Sequence, residues 1–226
     1  MQTFINIFAA PTKAFESLNE KPTWLAPLLI MIIAFIAFQY LTMDYSMEYQ
    51  IQVMEAKDVP QERIDLVKQQ MQGGLKYAGM ITMIIFIPLV TVIFAAVILG
   101  LSKITIAEGI TFKKSLSIVS WSGMIGLISL ALTLLLVYSK GTMHGIAIDL
   151  SAVLPQPGIG ESVPLLNRIL AKIDPFVIWQ LVLWVIGLRV MGKTSNQKAA
   201  IPVGIAWGIW IVLSVSLAGL FENFGM

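Results

Sequence analysis

The chain has 226 residues, 57% of them hydrophobic and only 12% charged, with a formal net charge of +2. Ordinary soluble domains carry roughly 25% charged residues, so this composition excludes a water-solvated globule and makes lipid the solvent for most of the surface. The small net charge gives no sign of nucleic-acid binding by bulk electrostatics, and the absence of cysteine excludes disulfides, thiolate metal sites and cysteine nucleophiles.

Residues 1–23 place Phe4, Ile7, Phe8, Phe15 and Leu18 at near-helical spacing. This pattern suits short interfacial helices broken at Pro11, and equally a stub packed on a helical bundle. The segment has no separate short apolar core with a small-residue cleavage site, so the following apolar run, 24–43, is expected to be a retained span. Trp24 and Tyr40 near its ends suit interfacial anchoring.

A polar stretch from Asp44 to Tyr77 follows. Met47, Ile51 and Met54 fall on one face of a first helix. Asp58 and Pro60 read as a cap and first-turn proline for a second, with Ile64, Val67, Met71 and Leu75 as its stripe and Gly73-Gly74 at its end. A second span is expected over 78–101, kinked at Pro88. A third is expected over 116–138, with a small, polar first half facing other helices and a leucine-rich second half facing lipid. The loop 139–173 contains the turn cluster Pro155-Gln156-Pro157-Gly158. It ends in an interfacial helix whose Leu165, Leu166, Ile169, Leu170 and Ile173 share a face. Asp174-Pro175 then opens a fourth span, 175–191. A short basic link joins it to a fifth, 200–221, so the pair reads as an antiparallel hairpin through the bilayer.

The fold class predicted is therefore an all-α integral membrane protein with five transmembrane helices and interfacial amphipathic helices. Residues 1–23 form an amino-terminal interfacial segment and 24–226 the five-span domain. Five spans put the chain ends on opposite sides. The amino-terminal side collects eight Lys/Arg and three acids in short segments, and the other side seven Lys/Arg and ten acids in long loops. The higher basic density places the amino terminus in the cytoplasm and the carboxy terminus outside the cell (inner) membrane.

Few parts for chemistry present themselves. No ionisable residue lies deep in a predicted span; Asp174 and Arg189 sit at the two ends of the fourth, as a cap and a snorkelling anchor and as the interfacial polar candidates. No predicted span contains histidine, and His144 lies in a loop, so no catalytic residue, metal ligand or cofactor site is expected. Gly204 and Gly208 form a GxxxG, and Gly123 and Gly126 lie in the small, polar half of the third span, where Ser122 and Gly126 repeat the small-xxx-small spacing. These four glycines are the candidates for helix packing, within the chain or with a partner. Trp179, Trp184, Trp207 and Trp210 crowd the last hairpin, as packing and anchoring residues or as the lining of a groove for a hydrophobic ligand.

The order of several short motifs carries more information than any one of them. The amino-terminal part has Phe8-x-x-Pro11-x-x-x-Phe15 and then Pro22-x-Trp24-x-x-Pro27. The middle has Gly109-x-x-Phe112 leading into Leu116-Ser117-Ile118-Val119-Ser120-Trp121. Near the end come Asp174-Pro175-Phe176-x-x-Trp179, Gly187-Leu188 and Ser195-x-x-Lys198-Ala199. This series resembles the Yip-one (Ypt/Rab-interacting protein) family, specifically its bacterial branch, over nearly the whole chain. Members often carry a proline shortly after the aromatic-Ser pair, where this chain has Gly123 and Met124, so a kink there would come from glycine.

The resemblance implies five spans with a cytoplasmic amino terminus and brings no catalytic residues. The binding of prenylated GTPases by eukaryotic relatives is not carried over; some bacterial relatives accompany ABC-type exporters. The expected function is that of a non-enzymatic accessory or organising partner of a membrane complex, such as an ABC-type exporter, or of membrane-shape and stress functions. Its expected partners are the bilayer and another membrane protein or a second copy, and no nucleic acid. The alternatives are a small-solute or hydrophobic-compound transporter or channel lined by Ser117, Ser120, Ser122, Gln180 and Ser214, and a lipid enzyme built on Asp174 with Arg168 or His144.

Overall fold

The computed structural model describes residues 2–106 and 109–223. Glu108, counted among the acids of the 102–115 connection, and the last three residues lie outside the described residues, as does the side chain of Leu75 from the predicted stripe. In chain order the helices are α1 (Gln2–Ala9), α2 (Pro11–Glu20), α3 (Leu25–Leu41), α4 (Met43–Ala56), α5 (Gln61–Gln72), α6 (Ala78–Thr105), α7 (Phe112–Ser122), α8 (Gly126–Lys140), α9 (Leu165–Leu170), α10 (Pro175–Met191) and α11 (Asn196–Asn223). Short 3-10 turns occupy Gly74–Tyr77, Gly123–Ile125 and Leu150–Val153, and there is no strand among the described residues. The chain divides into two compact units. The first comprises Met1–Met31, Phe86–Ile128 and Pro175–Met226, and the second Ile32–Ile85 and Ser129–Asp174.

The first unit holds the apolar core. Pro11 opens α2, where its missing N–H breaks no helical bond, so the chain turns at Ala10 between two short helices. Ala14, Phe15 and Leu18 of α2 share one face and are buried together with Ile7 of α1. Of the two roles open to residues 1–23, these side chains take the packed one, against α7 and α10. On α7, every residue from Ser115 to Ser122 is buried, which a helix tolerates only where other elements cover all its faces. The joint between α10 and α11 is tight: Lys193 adopts φ +47°, the amide of Thr194 donates to the Arg189 carbonyl, and Ser195 Oγ accepts from Lys198 N at 3.3 Å at the start of α11.

The second unit is built on α4, α5, α9 and their loops. Asp58 is not the cap the sequence predicts; it takes φ +53° in the turn, and Pro60 itself precedes α5. Here Ile64 and Val137 are the buried hydrophobics among the described residues. On α9 the predicted apolar face is present but turned outward. Leu165 and Leu166 are exposed, whereas Asn167 is buried and donates from Nδ2 to the Pro155 carbonyl at 3.1 Å.

All five predicted apolar runs are helical, but they do not meet the same length. Three are long and apolar enough to cross a membrane: α6, the α7–α8 run Phe112–Lys140, and Asn196–Ala218 of α11. The run predicted as 24–43 ends at Leu41, where Thr42 Oγ1 donates back to the Phe38 carbonyl and the chain bends by 61° into α4; this bent pair makes a fourth if taken as one span. The run predicted as 175–191 forms α10 with those bounds, and its 17 residues are at the short limit for a crossing. Within the third run the helix tightens into a 3-10 turn that begins at Gly123 and ends just before Gly126.

Candidate functional site

The motif residues of the first unit converge on the joint where the amino-terminal segment meets α7 and α10. Ser117 and Trp121 are four residues apart, so they project from the same side of α7. Ser117 Oγ donates to the Thr23 carbonyl at 2.7 Å, and Trp121 Nε1 donates to the same oxygen at 2.9 Å. One carbonyl has two lone pairs, so both donors are served and the non-helical link before α3 is pinned to a buried helix. The aromatic residue of the Leu-Ser-Ile-Val-Ser-Trp motif is thus a hydrogen-bond donor as well as a packing surface.

Gly187 supplies the second half of this joint. A Cβ at this position would lie 2.9 Å from both Ile118 Cγ1 and Cγ2 and 3.1 Å from Phe15 Cε1. Glycine is required because two elements, α2 and α7, close on one point of the α10 backbone. A little further on, Gly109 takes φ +99° with room for a Cβ only 3.3 Å from the Met191 carbonyl; its own carbonyl accepts from Lys114 Nζ at 2.8 Å. Ser115 Oγ adds a buried bond of 2.7 Å to the Ala95 carbonyl of α6.

Arg189 is the polar exception near this joint. It is half-buried, its Nη2 donates to Thr12 Oγ1 at 3.0 Å, and its Nε is buried with no partner. Beside it lies an open cleft of about 560 Å³ lined by Thr12, Glu16, Asn19 and Glu20 from α2 and by Arg189, Val190 and Thr194. Arg189 is therefore tied to the amino-terminal segment, a role beyond the anchoring that its place near a helix end implies.

The remaining candidates are dispersed. A Cβ at Gly126 would lie 3.1 Å from Met31 Cε, and one at Gly123 would have no neighbour within 4 Å. Gly204 and Gly208 likewise face open space, so the GxxxG of α11 packs against nothing within the described chain. Asp174 stands half-buried directly before α10. His144 Nε2 lies 3.0 Å from the Pro157 carbonyl, and Arg168 Nε donates to the Val163 carbonyl at 2.7 Å. Of the polar side chains considered for a transport path, Ser117 is committed to Thr23 and Ser214 Oγ donates to the Ile211 carbonyl of its own helix. Ser120 and Ser122 are buried with no partner for either hydroxyl. Trp184 is buried against Phe94, whose ring also meets Trp210 at 5.5 Å, while Trp179 and Trp210 keep over a third of their surface exposed.

Thr23, Thr12 and Asn19 were not singled out from the sequence. The carbonyl of Thr23 has no side-chain signature at all, and Thr12 and Asn19 read as ordinary polar residues of an amphipathic helix. The spacing of Ser117 and Trp121 was the one available signal that two donors share a target.

The chain is similar to the membrane protein YknW of Bacillus subtilis (strain 168), with 25% identity over 230 residues, covering 98% of this chain and 91% of the relative. No solved structure matches it. The family model of the Yip1 domain matches residues 5–218, from α1 to the last turns of α11, and so takes in the joint at Gly187 and Trp121. The chain belongs to the Yip1 domain family.

Proposed function

We propose that this protein is a non-enzymatic, polytopic inner-membrane partner that organises another membrane protein, such as an ABC-type exporter, or a second copy of itself. In this reading all five apolar helices are embedded, α3 and α10 crossing by help of the polar residues at their ends. The amino terminus lies in the cytoplasm and the carboxy terminus outside, as the Lys/Arg density of the short segments favours.

One observation carries the reading. Along α11 the exposed positions Ile201, Gly204, Ile205, Gly208, Ile209 and Val212 form a continuous ridge, with open space where Cβ atoms at the two glycines would stand. Small residues four apart let a second helix backbone approach closely, and lipid chains gain nothing from that geometry.

A photo-reactive residue placed at Ile205 in the full-length protein in native membranes tests this. The expected product is a discrete protein adduct, lost when Gly204 and Gly208 are both changed to Ile. Adducts with lipid alone would sink the proposal. Accessibility labelling of cysteines introduced at Gln2 and at Asn196 is expected to mark both on the cytoplasmic face, and one introduced at Gln156 on the outer face.

A further inference from the structure

The cleft beside Arg189 contains opposite charges that do not meet. Among the described residues Arg189 makes one hydrogen bond, to Thr12, and its buried Nε has no partner. Glu16 and Glu20, one helical turn apart on α2, line the same cleft and are exposed. No ion pair within 4.0 Å joins either to Arg189 among the described residues. Asn19, between the two acids, has a buried Oδ1 with no partner. A guanidinium and two carboxylates lining one open cleft give it both signs of charge, which suits a ligand that carries both.

The position of the cleft in the chain narrows the ligand. Arg189 is two residues from the end of α10, where the apolar run gives way to the polar turn Gly192–Ser195, and the exposed face of α2 presents Lys13, Glu16, Ser17 and Glu20. That transition from apolar to charged surface matches the headgroup layer of a bilayer. Guanidinium groups bind phosphate through paired N–H donors, and carboxylates accept from a primary ammonium.

We propose that this cleft is a binding site for the phosphate–ammonium headgroup of a phospholipid with a primary amine, of the phosphatidylethanolamine type. Arg189 and the Thr12 hydroxyl hold the phosphate, and Glu16 and Glu20 receive the ammonium. The site rests on the embedding of α10 proposed above and is independent of any protein partner.

The test is native mass spectrometry of the full-length protein in detergent, offered equal amounts of phosphatidylethanolamine, phosphatidylcholine and phosphatidylglycerol with matched chains. Phosphatidylethanolamine is expected to be retained about tenfold over the other two, the scale of one charge-assisted hydrogen bond. Arg189→Gln is expected to reduce retention of all three. Because that change also removes the Thr12 bond, the decisive variant is the exposed pair Glu16→Gln/Glu20→Gln, expected to abolish the preference over phosphatidylcholine while leaving the thermal unfolding temperature unchanged. Equal retention of the three lipids by the native chain, or a preference that survives the double change, would overturn the assignment. Displacement of the lipid by free phosphoethanolamine at comparable concentration would overturn its lipid source. Labelling that puts Gln156 and Asn196, which flank α10, on the same face would overturn the embedding and the argument from the headgroup layer, whereas selective retention tests the charge pairing in the cleft by itself.

Discussion

The two units of the chain are held by different forces. The first has a continuous apolar core to which α1, α2, α6, α7, α10 and α11 all contribute, and its long-range polar contacts run mostly to backbone carbonyls, with the Arg189–Thr12 bond between side chains. The second buries few hydrophobic side chains and is tied by hydrogen bonds in its loops. His144 lies against the Pro157 carbonyl, Asn167 and Gln156 donate to the carbonyls of Pro155 and Ser151, and the Leu150 amide donates to the Ile173 carbonyl. Apolar helices in lipid associate through close packing and interhelical hydrogen bonds rather than by withdrawing surface from water, and the first unit has the larger packed core, so it is expected to carry most of the stability.

Three substitutions would break or sharpen this contrast. Phe15→Ala should have the largest effect, about 3 kcal/mol or more, because it removes a ring with no exposed surface from between α7 and α10. The measurement is thermal unfolding in detergent together with proteolysis of the amino-terminal segment, which should become rapid; an unchanged cleavage rate would mean that the segment does not depend on this ring. Gly187→Ala should come next, at about 1–3 kcal/mol, since its methyl group would stand 2.9 Å from Ile118 and 3.1 Å from Phe15. Shortening the opposing side chain, in Gly187→Ala with Ile118→Val, should recover part of that loss, and no recovery would place the strain elsewhere. Asn167→Ala should cost least, about 1 kcal/mol, leaving the Pro155 carbonyl without its donor. Hydrogen exchange is expected to rise locally over residues 150–173 while the amides of α7 and α10 stay protected; loosening of α7 would contradict the independence of the two packing schemes.

Much of this architecture was legible in advance. Apolar runs such as Ala78–Leu101 admit no structure but helix in lipid, because every backbone polar group must be satisfied within the segment. Pro11, Pro175 and Gly123 marked breaks and starts that the helices respect. Membership of the family was readable from the order of the motifs and agrees with the match over residues 5–218. Element ends were less legible. Thr42 looked like a residue inside a span, yet its bond to Phe38 marks a bend, and Asp58 had every mark of a cap but occupies a left-handed turn.

What the sequence determined by itself is the class: helices, their approximate bounds, the lipid environment and the family, all of which follow from local composition and spacing. Which of two equally patterned faces is covered was decided only by the tertiary structure. It buried Phe15 and Leu18, left Leu165 and Leu166 outside, kept Gly187 packed and Gly204 open, and drew Thr23, Thr12 and Arg189 into one joint. The physical reason is that periodicity tells which residues share a side of a helix, whereas the partner for that side comes from elements tens to hundreds of residues away. Arg189 and Thr12, 177 positions apart, meet only when those elements pack.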